Sequence, residues 1–126
     1  MNRMPWIAAF VAGLALAAAG TTGSLIERAA AQQSPRTNPL ANSGEARLAG
    51  AKLYARECAS CHGANREGGV KAPPLVQSEV LEAAPGTLFW ILRNGSLRRG
   101  MPSFAHLPEP TRWQIVTYLQ SGRGQR

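Results

Sequence analysis

Cys58-Ala59-Ser60-Cys61-His62 constrains this chain more than any other stretch of its 126 residues. Two thiols stand two residues apart, close enough to reach one edge of a single porphyrin and add across its two vinyl groups. The histidine follows the second cysteine directly. It is therefore carried beneath the same ring, where an imidazole binds iron axially. C-x-x-C-H is the attachment signature of a c-type haem. The motif uses both cysteines of the sequence, so no thiol is left for other work.

Three other readings of the pair are open. A thioredoxin-like dithiol needs a βαβ setting, and no alternation of strand and helix patterns is visible. A disulfide between Cys58 and Cys61 closes a tiny loop and stabilises little. A zinc site would recruit His62 and His106, but structural zinc wants spaced pairs of ligands. Adjacent Cys61 and His62 are poorly placed to take two corners of one tetrahedron.

A c-type haem is attached on the outer side of the cytoplasmic membrane, so the chain must be exported. Arg3 supplies a positive flank, Ile7 to Ala19 is an apolar run, and Ala29-Ala30-Ala31 gives a cleavage site before Gln32. Residues 1–31 are therefore expected to be a signal peptide. Residues 6–26 carry no charge and are long enough to span a bilayer, so an uncleaved anchor is the alternative. Gly20-Thr21-Thr22-Gly23-Ser24 dilutes the second half of that stretch. Either way the haem part lies in the periplasm, outside the cytoplasmic membrane.

Residues 32–43 are rich in proline, glutamine and asparagine and read as a disordered linker. Residues 44–126 then form one domain. A core this small is marginal without a staple, and covalent haem is one.

The periodicity is all-α. Ser43 caps a helix over about Gly44 to Cys58, with Glu45 in its first turn. Glycines and prolines make Gly63 to Val76 a loop. A short helix begins near Ser78 and stops before Pro85. A longer one starts at Pro85, carries Leu88, Phe89, Ile91 and Leu92, and ends at Gly95. Ser96 to Leu107 is a second loop. The last helix starts at Pro108 to Pro110 and runs to about Ser121, with Trp113, Val116 and Gln120 on one stripe.

From Gly44 to Ser121 the sequence resembles the class I cytochrome c family. That family has a glycine eight residues, and an aromatic four residues, before the first haem cysteine. Gly50 and Tyr54 stand at those positions. In the family this pair meets an aromatic-Leu step on the last helix, which Tyr118-Leu119 resembles. The resemblance implies a small all-α cytochrome c fold, three to five helices around one covalently attached haem c. Cys58 and Cys61 would hold it and His62 would bind its iron.

The family's sixth iron ligand is a methionine, usually followed by proline, and Gly100-Met101-Pro102-Ser103-Phe104 matches that pattern. Composition agrees, since Met1 and Met4 fall in the expected signal and leave Met101 alone. His106 is the rival and would give bis-histidine ligation. The axial histidine of the family bonds a proline carbonyl, with leucine two residues on. Pro73-Pro74-Leu75 matches, although Ala72 stands where many relatives have glycine. Leu75, Leu88, Leu92 and Phe104 are candidates for the haem pocket. Trp90 and Arg93 are candidates for propionate partners.

The chain carries a net charge of +7. Removing Arg3, Glu27 and Arg28 with the signal leaves 12 basic and 6 acidic residues, +6. Arg93, Arg98 and Arg99 cluster just before Met101. This favours docking onto acidic faces of redox partner proteins rather than onto nucleic acid. The expectation is an exported one-electron carrier, not an enzyme, working between respiratory or dehydrogenase partners. A haem subunit of a larger dehydrogenase or oxidase is the alternative.

Overall fold

The computed structural model of the chain describes residues 24–32 and 35–122. The expected signal peptide, with its anchor alternative, falls mostly on residues 1–23, outside the described residues. The described residues form α1 (Leu25–Ala30), α2 (Gly44–Glu57), α3 (Ala59–His62), α4 (Ser78–Glu82), α5 (Pro85–Asn94) and α6 (Glu109–Leu119). A 3-10 turn spans Leu97–Arg99, and a single β-bridge joins Ser96 to Met101. The fold is the small all-α type expected. It holds more helices than the three to five expected, because α1 and the single turn α3 are added.

The centre of the fold is the crossing of α2 over α6. Gly50 permits it: a Cβ there would lie 2.0 Å from the Gln114 carbonyl oxygen and 2.8 Å from Tyr118 Cβ. Any side chain would force the helices apart. One turn on, the Tyr54 and Tyr118 rings meet at 5.3 Å with a 50° tilt. Ser43 caps α2 by accepting a hydrogen bond from the Ala46 N–H at 3.0 Å.

α5 fills the space beneath. Phe89 stacks on Trp113 at 4.1 Å, and Ile115 and Val116 are fully buried. Each such side chain contributes about 1.5–3 kcal/mol of apolar burial. The Gln120 amide donates to the carbonyls of Val80, Leu81 and Ala83, tying the end of α4 to the end of α6.

Residues 35–42 are not the free linker their composition suggested. The Arg36 guanidinium lies 4.7 Å from the Phe89 ring centre and pairs with Glu109. Asn38 donates to the Thr117 hydroxyl, and that hydroxyl donates to the Leu40 carbonyl. Composition missed this because one arginine and one asparagine find partners more than 70 residues away.

Candidate functional site

Cys58 ends α2 and begins α3, and the Cys61 and His62 N–H groups both donate to its carbonyl. The motif is thus one helical turn. Positions i and i+3 share a face, so both thiols reach the same side. That side is a cavity of about 690 Å³, within the ~300–1,000 Å³ range of cofactor sites. Cys58, Cys61, His62, Pro73, Leu75, Met101 and Phe104 all line it. So do Leu88 and Leu92, from α5.

On the histidine side the chain folds back on itself. Gly68 N–H donates to the His62 carbonyl at 2.7 Å, and Leu75 N–H donates to the Arg66 carbonyl at 2.8 Å. These bonds return Pro73 to the motif, and His62 Nδ1 lies 2.8 Å from the Pro73 carbonyl oxygen. A carbonyl only accepts, so Nδ1 carries the proton and Nε2 keeps its lone pair for a metal. Tyr54 OH donates to the Gly63 carbonyl at 2.7 Å from beneath. Burial, then the charges near it, push the Tyr54 phenol up to about 12. Arg66 is the non-glycine residue with positive φ, 63°, among the described residues. Its guanidinium donates to the carbonyls of Tyr118 and Leu119 at 3.3 and 3.2 Å, closing the C-terminal end of α6.

The methionine side is held from outside. Ser96 and Met101 exchange backbone hydrogen bonds at 2.9 and 3.0 Å. Ser103 Oγ donates to the Arg93 carbonyl at 2.5 Å, and Phe104 N–H to the Leu92 carbonyl at 2.8 Å. Gly95 adopts φ 63°, and a Cβ there would sit 2.6 Å from the Pro102 carbonyl. His106 is exposed, beside Phe104 at 6.1 Å between ring centres, and does not line the cavity.

The rival readings of the cysteines find little here. Burial, then the charge of Glu57, pushes the Cys58 thiol up to about 11. A redox-active dithiol needs the opposite shift. Among the described residues no cluster of three or more His, Cys, Asp or Glu could hold a metal ion.

Residues 45–119 match the sequence model of the family described as cytochrome C oxidase, cbb3-type, subunit III. The chain belongs to this family of c-type cytochrome domains. Its fold is also similar to that of cytochrome CL from the marine methylotrophic bacterium Methylophaga aminisulfidivorans. The TM-score is 0.60 at 23% identity, covering 82% of this chain and 71% of that one. No curated protein matches it.

A cytochrome c domain implies covalently bound haem c and electron transfer, and the cavity has the chemistry for both. It offers two neighbouring thiols, one imidazole with a free nitrogen, one thioether and an apolar wall. Sequence reasoning named Trp90 and Arg93 as propionate partners, but neither lines this cytochrome's cavity, whereas Lys71 and Arg99 do. Arg93 stood near the site only through its place in the basic cluster before Met101, and its carbonyl, not its cation, is what the methionine loop uses. Lys71 gave no signal and Arg99 gave one only within the basic cluster before Met101, because only the folding of two separate loops brings the two to one cavity. Leu25 and Ile26 of α1 also line it, although their sequence reads as part of the export segment.

Proposed function

We propose that this cytochrome domain is an exported one-electron carrier with His62 and Met101 as the axial ligands of its haem iron. Bound in this cavity, haem c supplies a ferric/ferrous couple. The protein supplies the rest. Cys58 and Cys61 form the thioether links, and Pro73 orients His62. Met101 provides a soft sixth ligand that favours ferrous iron and raises the potential. Leu75 and Phe104 exclude water. Two strong axial ligands kept in both oxidation states mean little rearrangement per electron.

The observation that carries this reading is one cavity lined by both cysteines, His62 and Met101, with His62 Nδ1 already engaged. Lys71 and Arg99 lie at the cavity, and exposed Val70 and Leu97 stand next to them in the chain or in the same turn. Cations around an apolar contact suit an acidic redox partner, with association that weakens as salt rises. Export rests on Arg3, the apolar run and Ala29-Ala30-Ala31. Cleavage before Gln32 would remove α1 and uncover the cavity at Leu25 and Ile26.

The name of the matched family favours a second reading, a haem subunit of a terminal oxidase. No described helix is long and apolar enough to cross a membrane; such a subunit would be held by partners or by an uncleaved anchor over residues 6–26.

Intact mass of protein from cells competent for haem attachment tests the first step. It should equal the chain from Gln32 plus one haem. The oxidised protein should show the weak near-infrared sulfur-to-iron band, and the reduced protein should resist carbon monoxide. A bare polypeptide mass, or prompt carbon monoxide binding, would defeat the carrier reading. Release by osmotic shock marks a free carrier; co-purification with membrane oxidase marks a subunit.

A further inference from the structure

We propose that Arg112 is the positioning residue that keeps Met101 on the iron, holding the far end of the ligand loop through two carbonyls. This rests on Met101 being the sixth ligand. Arg112 stands in the first turn of α6, where the helix dipole disfavours a cation. It is only 7% exposed, although arginine is rarely buried. Its Nε is buried without a hydrogen-bond partner. Local preference explains none of this, so tertiary contacts must.

Those contacts are specific. One guanidinium nitrogen donates to the Ala105 carbonyl at 3.2 Å and to the Leu107 carbonyl at 3.0 Å. The guanidinium carbon lies 4.8 Å from the Phe89 ring centre, and Phe89 stacks on Trp113. Charge-assisted hydrogen bonds and a cation on a ring face offset the buried charge.

The placement gives these contacts a function. Ser103 and Phe104 tie the loop to α5, and Ser96 pairs with Met101 within the loop. Arg112 ties Ala105 and Leu107 to α6, which crosses α2 closely at Gly50. Both sets of ties lie just beyond Met101, side by side in the chain. Cutting the α6 tie leaves this stretch held by Ser103 and Phe104 alone, so the thioether leaves more readily while the helices stay packed. The iron would then accept small ligands.

The test uses the ferric and ferrous holoprotein of Arg112→Met and Arg112→Lys. Arg112→Met keeps a long apolar contact with Phe89 but has no donor. Arg112→Lys keeps a cationic donor. The sulfur-to-iron band and the far-ultraviolet helix signal are followed in the same denaturant titration, and carbon monoxide binding is timed. In Arg112→Met the band should vanish at lower denaturant than helix, and carbon monoxide should bind about tenfold faster, the scale set by losing hydrogen bonds to a charged group. Arg112→Lys should recover part of both. Band and helix midpoints shifting together in both variants would overturn the proposal and leave Arg112 a plain core residue. Should Arg112→Met not fold, Arg112→Lys decides by the same separation of midpoints. A wild-type protein lacking the band would overturn Met101 ligation itself, before any variant is read.

Discussion

The loop from Gly63 to Val76 returns on itself, and its backbone bonds bring Pro73 back to His62 from 11 residues away. The loop from Gly95 to Pro108 hangs instead from its neighbours. It is tied to the end of α5 by Ser103 and Phe104 and to the start of α6 by Arg112. Each side uses an arginine with a buried, unpartnered Nε, but to different ends. Arg66 reaches out from its own loop to close α6. Arg112 reaches from α6 to hold someone else's loop. A group fixed by local bonds leaves only when those bonds break. The methionine loop is held instead by bonds to two other elements, α5 and α6, so on the proposed ligation Met101 is expected to leave first.

The sharpest way to break this comparison is Met101→Ala. It should abolish the near-infrared band, admit carbon monoxide and lower the reduction potential by on the order of 100 mV or more. The helix signal and the thioether links should be untouched. Equal loss of helix would show that the two sides are one unit.

Gly95→Val comes next. A branched side chain at positive φ, pressed on the Pro102 carbonyl, should cost about 3 kcal/mol in equilibrium unfolding and weaken the band at ambient temperature. An unchanged band would mean that the loop tolerates a different path to the iron.

Arg66→Met should cost about 1–2 kcal/mol, from two lost hydrogen bonds to carbonyls at the end of α6. Here band and helix midpoints should fall together, unlike in Arg112→Met. A band lost ahead of helix in Arg66→Met would erase the asymmetry.

The smallest effect belongs to Glu109→Gln. The Arg36 hydrogen bond first, with help from Trp113 and Arg112, holds the Glu109 carboxyl below its ordinary range. Its contribution is therefore present above the ordinary carboxylate pKa and lost as pH falls through the depressed value. The variant should flatten the acid limb of melting temperature below the ordinary carboxylate range, slightly, because the pair is exposed. No change in slope would mean residues 35–42 are held by Asn38 and the ring contacts alone.

The attachment side of this molecule was legible in the sequence because its determinants are local. Cys58, Cys61 and His62 share one helical turn, whereas Pro73 as the partner of His62 was legible through family resemblance. Helix limits followed from Ser43, Pro85 and Gly95, each acting on its own neighbours. Gly50 and Met101 were legible through family resemblance. Only the tertiary structure decided what surrounds them. The fit of Gly50 against Gln114, the ordering of residues 35–42, Lys71 and Arg99 at one rim, and Arg112 on the methionine loop depend on residues meeting from separate segments. An arginine reads as surface charge in any sequence window. What buries Arg112 is a pair of carbonyls from the stretch leading into its own helix and the Phe89 ring of α5, and the ring reaches it only once the helices have packed.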